Sequence, residues 1–322
     1  LSIVTQTGMY GPQATAFGEY RFGVRTVIDL GNMCDVDEVD CLGHLGEDPE
    51  TRVIGLYLEH SRRPRSLLAT ARSVSGGKPV ICLKGGRSRD AAGAMASHTG
   101  SVSSDDRLYD ALFAQAGIVR VSDYEDVLDV AKAFLTQPLP PGNRLGIISL
   151  TGAIGIQCID IAAEVGLVPG RLGGESVERL KAMSPTLAGN PVDLGPASAA
   201  NGAELFSYYQ RCFDVLSSDE AIDCIYMNTY ISGYMVPEMY EGLFSHISSN
   251  LSKPVVMWSY GPSPEAVRGL GALAESHGIP FYTTTRKAVS TLGCLVKYAA
   301  SRRRVGRHGD NPDSTPAATL RT

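Results

Sequence analysis

One local pattern occurs twice in this chain and limits the folds that it can adopt. Residues 2–11 and residues 146–155 each contain an apolar strand-like run, a Thr-Gly pair and a sequence that favours the start of a helix. Two later segments recur in the same order, since 79–83 resembles 254–258 and 117–121 resembles 278–282. This repeat predicts an α/β fold made of two tandem flavodoxin-like domains with mainly parallel sheets.

The composition along the chain predicts where these units begin and end. The first unit spans residues 1–136 and the second spans residues 144–302, while the Pro-rich and Gly-containing segment 137–143 is the expected linker. Residues 303–322 are rich in Arg, Pro, Asp and Thr and are expected to form a disordered tail. In the second unit we predict strands at 145–150, 224–228, 255–259 and 280–282 and helices at 154–164 and 288–301; in the first unit we predict helices opening at 35–40 and spanning 105–116.

A histidine-bearing segment follows the apolar run 80–83 and is the strongest candidate for a functional site. It runs through Lys84 and Arg87 to the sequence Ser97-His98-Thr99-Gly100 and is predicted to be a small-residue loop at the carboxyl end of a parallel strand. His98 can act there as a general base, a metal ligand or a nucleophile toward phosphorus, or it can simply cap the next helix.

The neighbours of this histidine favour phosphate as its ligand. Asp90 is the one nearby residue that could help His98 to hold a metal, whereas Ser97, Thr99 and the Gly100 amide offer hydrogen-bond donors to phosphate oxygens. Lys84 and Arg87 can hold phosphate or CoA, or they can be solvated residues at the end of a strand.

The two Thr-Gly pairs predict a second feature that suits an anion. Each would place free backbone amides and the positive end of a helix dipole at the carboxyl end of a strand, which stabilises a phosphoryl dianion by about 0.3–2 kcal/mol. The residues involved are Thr5, Thr7 and Gly8 in the first unit and Thr151, Gly152 and Ala153 in the second. They fit neither the Walker pattern nor the full dinucleotide fingerprint.

Composition excludes several classes of protein. The chain has 322 residues, 43% of them hydrophobic, and a net charge of −5, which argues against general nucleic-acid binding. Its 7 cysteines include no CxxC pair, so neither a zinc site nor a disulfide framework is expected.

The sequence lacks a run of about 20 apolar residues, and a cytoplasmic location with no membrane partner is expected. Because Leu1 lies almost inside a strand, we also expect either that the true start lies further upstream or that an upstream domain has been removed.

Several separated segments resemble the NDP-forming acyl-CoA synthetases, the superfamily that includes succinyl-CoA synthetase and the ADP-forming acetyl-CoA synthetases. The resemblance extends to about Ser301, and its specificity comes from the joint order of the segments. They are Thr5-Gln-Thr-Gly8, Leu30-Gly-Asn-Met-Cys-Asp35, Asp48-Pro-Glu-Thr-Arg-Val-Ile54, Tyr57-Leu-Glu59, Lys78-Pro-Val-Ile-Cys-Leu-Lys84, Ser97-His-Thr-Gly100 and Asn190-Pro-Val-Asp193.

The resemblance implies roles for particular residues. In that family the histidine of the Ser-His-Thr-Gly segment is transiently phosphorylated, which implies that role for His98, and the glutamate of the Tyr-x-Glu strand end orients the imidazole, which maps onto Glu59. The two Thr-Gly helix starts would receive the phosphoryl group from two domains. Asn190 and Asp193 would lie near the nucleotide-binding part, as secondary candidates. Met9 and Tyr10 are bulkier than the family pattern and alter the expected shape of the first of these sites.

The resemblance also implies a reaction, in which a carboxylic acid, CoA and ATP give acyl-CoA, ADP and phosphate through a phosphohistidine and an acyl phosphate. Mg and nucleotide would act at the level of the whole enzyme, with no cofactor bound permanently by this chain. The expected partners are an ATP-grasp subunit or domain and a CoA-binding Rossmann domain, and an oligomer is expected. The alternatives are a noncatalytic metabolite-sensing module of a protein acyltransferase and a pseudoenzyme fragment used for assembly.

Overall fold

Two parallel sheets, each flanked by helices, form the framework of the protein. The computed structural model describes residues 1–11, 13–17, 20–99 and 105–309, and for residues 95–99 and 305–309 it describes the backbone alone. Every strand pairing in both sheets is parallel, which confirms the predicted pair of flavodoxin-like units. None of the described helices is long and apolar enough to cross a membrane.

The first sheet has the strand order β2-β1-β3-β4-β5, which is the order of flavodoxin. Its strands are β1 (Ser2–Thr5), β2 (Thr26–Asp29), β3 (Ile54–Leu58), β4 (Val80–Lys84) and β5 (Val119–Val121). The helices described in this half are α1 (Glu38–Glu47), α2 (Pro64–Ser75), α3 (Arg89–Thr99), α4 (Asp106–Ala116) and α5 (Tyr124–Thr136).

The second sheet has the equivalent order β11-β10-β9-β6-β7, with the short strand β8 also paired to β6. Its strands are β6 (Arg144–Ser149), β7 (Val168–Pro169), β8 (Val192–Asp193), β9 (Cys224–Tyr230), β10 (Val255–Tyr260) and β11 (Phe281–Tyr282). The helices described here are α6 (Gly152–Val165), α7 (Gly174–Met183), α8 (Gly195–Ala200), α9 (Leu205–Ser218), α10 (Glu241–Ser249), α11 (Pro264–Ser276) and α12 (Thr285–Gly309).

Local sequence explains how the predicted helices begin. Asp37 accepts hydrogen bonds from the amides of Val39 and Asp40, and Asp40 reciprocates to form a capping box at the start of α1. The neighbouring acid Glu38 behaves differently, because it is fully buried and neither carboxylate oxygen has a hydrogen-bond partner among the described residues. Burial raises the pKa of Glu38, because the charged carboxylate loses its hydration.

The segment between the two units is anchored rather than free. The side chain of Gln137 accepts a hydrogen bond from the Val255 amide (2.7 Å) and donates one to the Gly278 carbonyl (2.6 Å). In the preceding helix, Lys132 donates to Glu275 (2.7 Å) and to the Phe281 carbonyl (2.5 Å). These contacts tie the end of α5 to the second sheet.

The last helix, α12, packs against both sheets. Its first turns bury Val289 and Leu292 in the core beside β6 and β9, whereas Leu295 and Tyr298 enter the core beside β1 and β4. The helix continues beyond residue 302, the predicted end of the second unit, and ends at Gly309. It therefore belongs to the packing of both halves, although the sequence predicts it as part of the second unit.

Candidate functional site

The site predicted around Glu59 lies where the strand order of the first sheet reverses, between β1 and β3. In the parallel register Thr5 is opposite Tyr57 and Leu58 is opposite Lys84, so the residues that follow these strands meet at one edge of the sheet. Ligands of open α/β sheets bind at this kind of switch point, outside the carboxyl ends of the strands. The topology thus places Glu59 at the position where the fold offers a binding site.

Gln6 connects the loops that follow β1 and β3. Its Oε1 atom accepts hydrogen bonds from the backbone amides of Glu59 (2.5 Å) and His60 (3.3 Å). Its Nε2 atom donates to the His60 carbonyl (3.3 Å) and to the Met33 sulfur (2.7 Å). Gln6 was not among the predicted site residues, because its role depends on two strands about 50 residues apart being neighbours in the sheet.

The Glu59 side chain is half-buried and lies beside the Tyr57 hydroxyl. Burial raises the pKa of Tyr57, and the charge and hydrogen bonding of Glu59 raise it further, so the phenol stays protonated and can donate to the carboxylate. Gly85, which follows β4, packs against the side chains of Tyr57 and Glu59. A Cβ atom at Gly85 would lie 2.9 Å from the Tyr57 hydroxyl oxygen and 3.9 Å from Cγ of Glu59. A glycine is needed here because the backbone approaches these two side chains closely.

This close approach gives a testable stability prediction. Gly85→Ala should lower the free energy of unfolding by about 1–3 kcal/mol, because the added methyl group overlaps the Tyr57 hydroxyl. The ring carbon that carries the hydroxyl would be 3.5 Å from the new atom, which is an ordinary contact. In a Tyr57→Phe background the same change should therefore cost less. Urea unfolding of the four variants in a double-mutant cycle measures the difference.

Gly93 provides the matched control for this substitution. It lies within α3, and nothing is found within 4 Å of the position of its missing Cβ. Gly93→Ala should stabilise the protein by about 0.5–1 kcal/mol, since alanine is the better helix former. An equal loss of stability from Gly85→Ala in both the Tyr57 and the Phe backgrounds would contradict the proposed clash.

Lys84 and Arg87, the basic candidates, have different environments. The Lys84 side chain is 2% exposed, its ammonium donates to the Gly85 carbonyl (2.5 Å), and it lies 4.6 Å from the centre of the Tyr109 ring. Arg87 is exposed, donates to the Ser122 hydroxyl (3.3 Å) and lies 3.8 Å from Asp106. Lys84 is thus part of the buried edge near Glu59, whereas Arg87 points to the surface around β5.

The two Thr-Gly turns share one hydrogen-bond pattern but lead to different structures. Thr5 Oγ1 donates to the Thr7 carbonyl and accepts from the Thr7 amide, and Ser149 makes the same two bonds with Thr151. These bonds show that the repeat seen in the sequence extends to the atomic level.

The prediction of a helix after the first of these turns is wrong. Gly8 begins only a three-residue 3-10 turn, Gly8–Tyr10, whereas Gly152 begins the fourteen-residue helix α6. Gly11 is extended (φ −70°, ψ 154°), as expected for a residue that precedes proline, and this conformation ends the turn. Thr5, Thr7 and Gly8 therefore lack the helix dipole that the sequence suggested. Tyr10 is fully buried in the core, so it does not line an open site.

Helix α6 begins beside a carboxylate. Thr151 is its N-cap residue but makes no side-chain capping bond, which leaves the Ala153 amide without that partner, and the Gly152 amide is likewise one of the first amides of the helix. The carboxylate of Asp193, at the end of β8, accepts from the Gly195 amide (3.0 Å), and its other oxygen lies 3.0 Å from the position of a Cβ on Gly152. Thr151, Gly152, Ala153 and Asp193 thus form one group at the edge of the second sheet.

Asn190, the other candidate in that segment, has a structural role. Its Nδ2 atom donates to the carbonyls of Leu145 (2.7 Å) and Gly170 (2.9 Å), and its Oδ1 atom accepts from the Ile147 amide (2.9 Å). These bonds join the segment before β8 to β6 and to the residue that follows β7. The side chain holds backbone together and has little hydrogen-bonding capacity left for a ligand.

The predicted histidine loop is helical up to Thr99. Ser88 begins α3 by accepting a hydrogen bond from the Ala91 amide (3.1 Å), and the alanine-rich sequence that follows favours a helix. Ser97, His98 and Thr99 belong to the last turn of α3, and their side chains lie outside the description. Gly100 lies outside the described residues altogether. The assignment of His98 stays a prediction.

Comparison with known proteins agrees with this architecture. Residues 1–134 match the family model described as succinyl-CoA ligase like flavodoxin domain. A solved structure of the dinucleotide-forming acetyl-coenzyme A synthetase 1 of Candidatus Korarchaeum cryptofilum, in complex with phosphate and ADP, superposes with a TM-score of 0.82 at 26% identity. That superposition covers 95% of this chain and 66% of the other.

Two curated relatives each match most of this chain. It is 32% identical over 311 residues to an ADP-forming acetate–CoA ligase II of Archaeoglobus fulgidus, covering 94% of this chain and 45% of that protein. It is 32% identical over 284 residues to the alpha subunit of the ADP-forming acetate–CoA ligase II of Pyrococcus furiosus, covering 86% of this chain and 60% of that subunit. The chain is therefore similar over most of its length to ADP-forming acetate–CoA ligases, carries a succinyl-CoA ligase like flavodoxin domain at residues 1–134, and spans about half the length of these relatives.

Proposed function

We propose that this chain is the phosphohistidine-bearing part of an ADP-forming acyl-CoA ligase, with His98 as the phosphoryl carrier and Glu59 as the residue that orients it. The complete Ser97-His98-Thr99-Gly100 motif and the complete Tyr57-x-Glu59 motif support a catalytic role. The names of the relatives, which are ADP-forming acetate–CoA ligases, support the reaction class.

The position of Glu59 is the observation that carries this proposal. Two contacts fix it at the switch point of the first sheet, the hydrogen bond from its amide to Gln6 and the packing of its side chain beside Tyr57 and Gly85. A short loop after Gly85 leads to Arg89, where α3, the helix that carries His98, begins. A carboxylate that accepts one ring N–H fixes the tautomer of an imidazole and leaves the other nitrogen free to attack phosphorus.

The proposed reaction has three transfers. A nitrogen of His98 attacks the γ-phosphorus of ATP, and the bond to the ADP oxygen breaks. A carboxylate oxygen of the acid then attacks the phosphohistidine, which releases the imidazole and gives an acyl phosphate. The sulfur of CoA finally attacks the acyl carbon, so that phosphate leaves and the thiol proton is lost. Mg would accompany the nucleotide, and an ATP-grasp part and a CoA-binding part would supply the two remaining sites.

The group at the start of α6 would hold the phosphoryl group at one end of its path. The amides of Gly152 and Ala153 lie at the positive end of a fourteen-residue helix, which favours an anion. The adjacent Asp193 carboxylate opposes a second negative charge there. We therefore assign this end a transient role rather than tight phosphate storage.

Labelling of His98 tests the proposal. The chain is incubated with ATP labelled at the γ-phosphate and an ATP-grasp subunit that phosphorylates the Pyrococcus furiosus alpha subunit, which serves as the positive control. We expect label that is stable in base, lost in acid and located by peptide mapping at His98. His98→Asn should abolish this label, because the amide cannot form a phosphoramidate by the same attack.

The outcome that would overturn the proposal is equally specific. Equal labelling of His98→Asn would exclude His98 as the carrier. If the positive control is labelled and this chain binds the same subunit without becoming labelled, the catalytic proposal fails and a noncatalytic module replaces it.

A further inference from the structure

Beside Glu59 lies a pair of basic side chains that the phosphoryl chemistry does not use. His60 follows Glu59 in the loop after β3, and Lys84 ends the neighbouring strand β4. The amide of Gly85 donates to the Leu58 carbonyl (3.0 Å), which holds these two strand ends together. Tyr109 links them again, because its ring lies 4.6 Å from the Lys84 ammonium and its hydroxyl accepts a hydrogen bond from the Ser61 amide (2.9 Å).

Lys84 carries a buried charge on which the carboxylates of Asp106 and Glu59 act only from beyond ion-pair distance. Its side chain is 2% exposed, and it forms no ion pair with the part of the chain that the structure describes. Its one hydrogen bond within that part goes to the Gly85 carbonyl, which leaves two N–H donors. Burial lowers the pKa of Lys84, as expected for an ammonium group removed from water. A bound anion would compensate this charge.

His60 offers a second donor at the same edge. Its Nδ1 atom is buried and has no hydrogen-bond partner among the described residues, while its backbone is fixed at both ends by Gln6. Burial lowers the pKa of His60, the charge of Arg62 lowers it further, and the opposing charge of Glu59 does not reverse the shift, so the neutral ring is favoured near pH 7. A buried polar atom without a partner in a native fold points to a missing ligand or water.

We propose that His60 and Lys84 form the subsite that binds the carboxylate group of the acid substrate. The Lys84 ammonium would bind one carboxylate oxygen and the Nδ1–H of His60 the other. The Tyr109 ring lies beside the Lys84 ammonium and the Met33 sulfur accepts from Gln6, so the surroundings of this subsite are largely apolar.

The choice of a carboxylate over a phosphoryl group follows from the charges. This subsite has one buried cation and one neutral imidazole, and Glu59 lies beside it. The carboxylates of Asp106 and Glu59 already act on the Lys84 charge, so a monoanion adds less repulsion here than a dianion would. This inference rests on the proposed function, since it places the acid next to the residue that would orient the phosphohistidine.

Nuclear magnetic resonance of the histidine side chains tests this subsite directly. Protein with isotope-labelled histidine is titrated with sodium acetate at fixed pH and at ionic strength held constant with chloride. The chain has 6 histidines, and loss of one signal in His60→Gln assigns His60. We expect a saturable shift of the His60 ring signal in the millimolar range of acetate.

Two variants of Lys84 decide whether the shift reports the proposed pair. Lys84→Met and Lys84→Gln should each weaken acetate binding about tenfold or more, because both remove the buried charge. Unchanged signals of the other histidines show that each variant is folded. Lys181→Met, on the exposed face of α7, is the matched control and should leave the titration unchanged.

A parallel titration with inorganic phosphate separates the two oxyanions. Saturation of His60 by phosphate but not by acetate would overturn the carboxylate assignment, as would the absence of a saturable shift with either anion. These titrations contain neither nucleotide nor partner subunit. Their outcome is therefore independent of whether His98 becomes labelled, and failure of one proposal can be told from failure of the other.

Discussion

Glu59→Gln is expected to slow the phosphorylation of His98 by about 10²–10⁴-fold. The glutamine side chain has nearly the same shape as glutamate but carries no charge, so it cannot stabilise the imidazolium character that develops as the ring attacks phosphorus. It can also present its NH₂ group to the ring, which favours the wrong tautomer. The measurement is rapid-quench labelling with γ-labelled ATP and the ATP-grasp subunit.

The same substitution should leave the fold unchanged. The hydrogen bond from residue 59 to Gln6 comes from the backbone amide and survives in the variant, so the free energy of unfolding should change by less than about 1 kcal/mol. Glu47→Gln is the matched control, because Glu47 is an exposed glutamate at the carboxyl end of α1, away from Glu59 in the sequence. A slowdown no larger than that of Glu47→Gln would contradict an orienting role for Glu59.

The sheets were predicted well because buried parallel strands are short apolar runs with glycine, proline or charged residues at their ends. The predicted strand 255–259 corresponds to β10 (Val255–Tyr260), and 224–228 corresponds to the start of β9 (Cys224–Tyr230). The failed prediction after Thr7 had a local cause that was visible in the sequence. Pro12 follows Gly11, and a proline disfavours helical conformation in the residue before it.

The site was only partly predictable, for a different reason. Lys84 and Glu59 were found as residues that end apolar runs or belong to a motif, and the structure places both at one sheet edge. The bridging by Gln6 and the packing of Tyr57 on Gly85 depend on which strands are neighbours and on their register. That information is not contained in any single segment of sequence. Asn190 illustrates the converse, since a motif residue proves to be committed to backbone hydrogen bonds.

The dual packing of α12 also escapes prediction from sequence. The periodicity of Val289, Leu292 and Leu295 identifies the buried face of the helix, but it does not say which sheet each turn covers. In the structure the buried face changes sheets between Leu292 and Leu295. The first unit is therefore incomplete without a helix that follows the second unit in the chain, which couples the stability of the two halves.

Tyr298→Ala tests this coupling and should lower the free energy of unfolding by about 3–5 kcal/mol. Tyr298 is 1% exposed, and its ring packs edge-on against Phe134 of α5 with the ring centres 5.2 Å apart. Its hydroxyl donates to the Ser75 carbonyl at the end of α2 (2.9 Å). Removal of the side chain leaves a cavity between α12 and the first sheet and deprives the Ser75 carbonyl of its donor.

Two further variants separate the parts of this effect in urea unfolding. Tyr298→Phe keeps the ring and loses only the hydrogen bond, so it should cost about 1 kcal/mol. Arg303→Ala, on the exposed side of the same helix, should change stability by no more than about 0.5 kcal/mol. If Tyr298→Ala were as mild as Arg303→Ala, the last turns of α12 would not hold the first unit. If instead Tyr298→Ala lowers the free energy of unfolding by the full expected amount, α12 stabilises the sheet that carries Glu59. Truncations that remove α12 should then weaken the candidate site as well as the second unit.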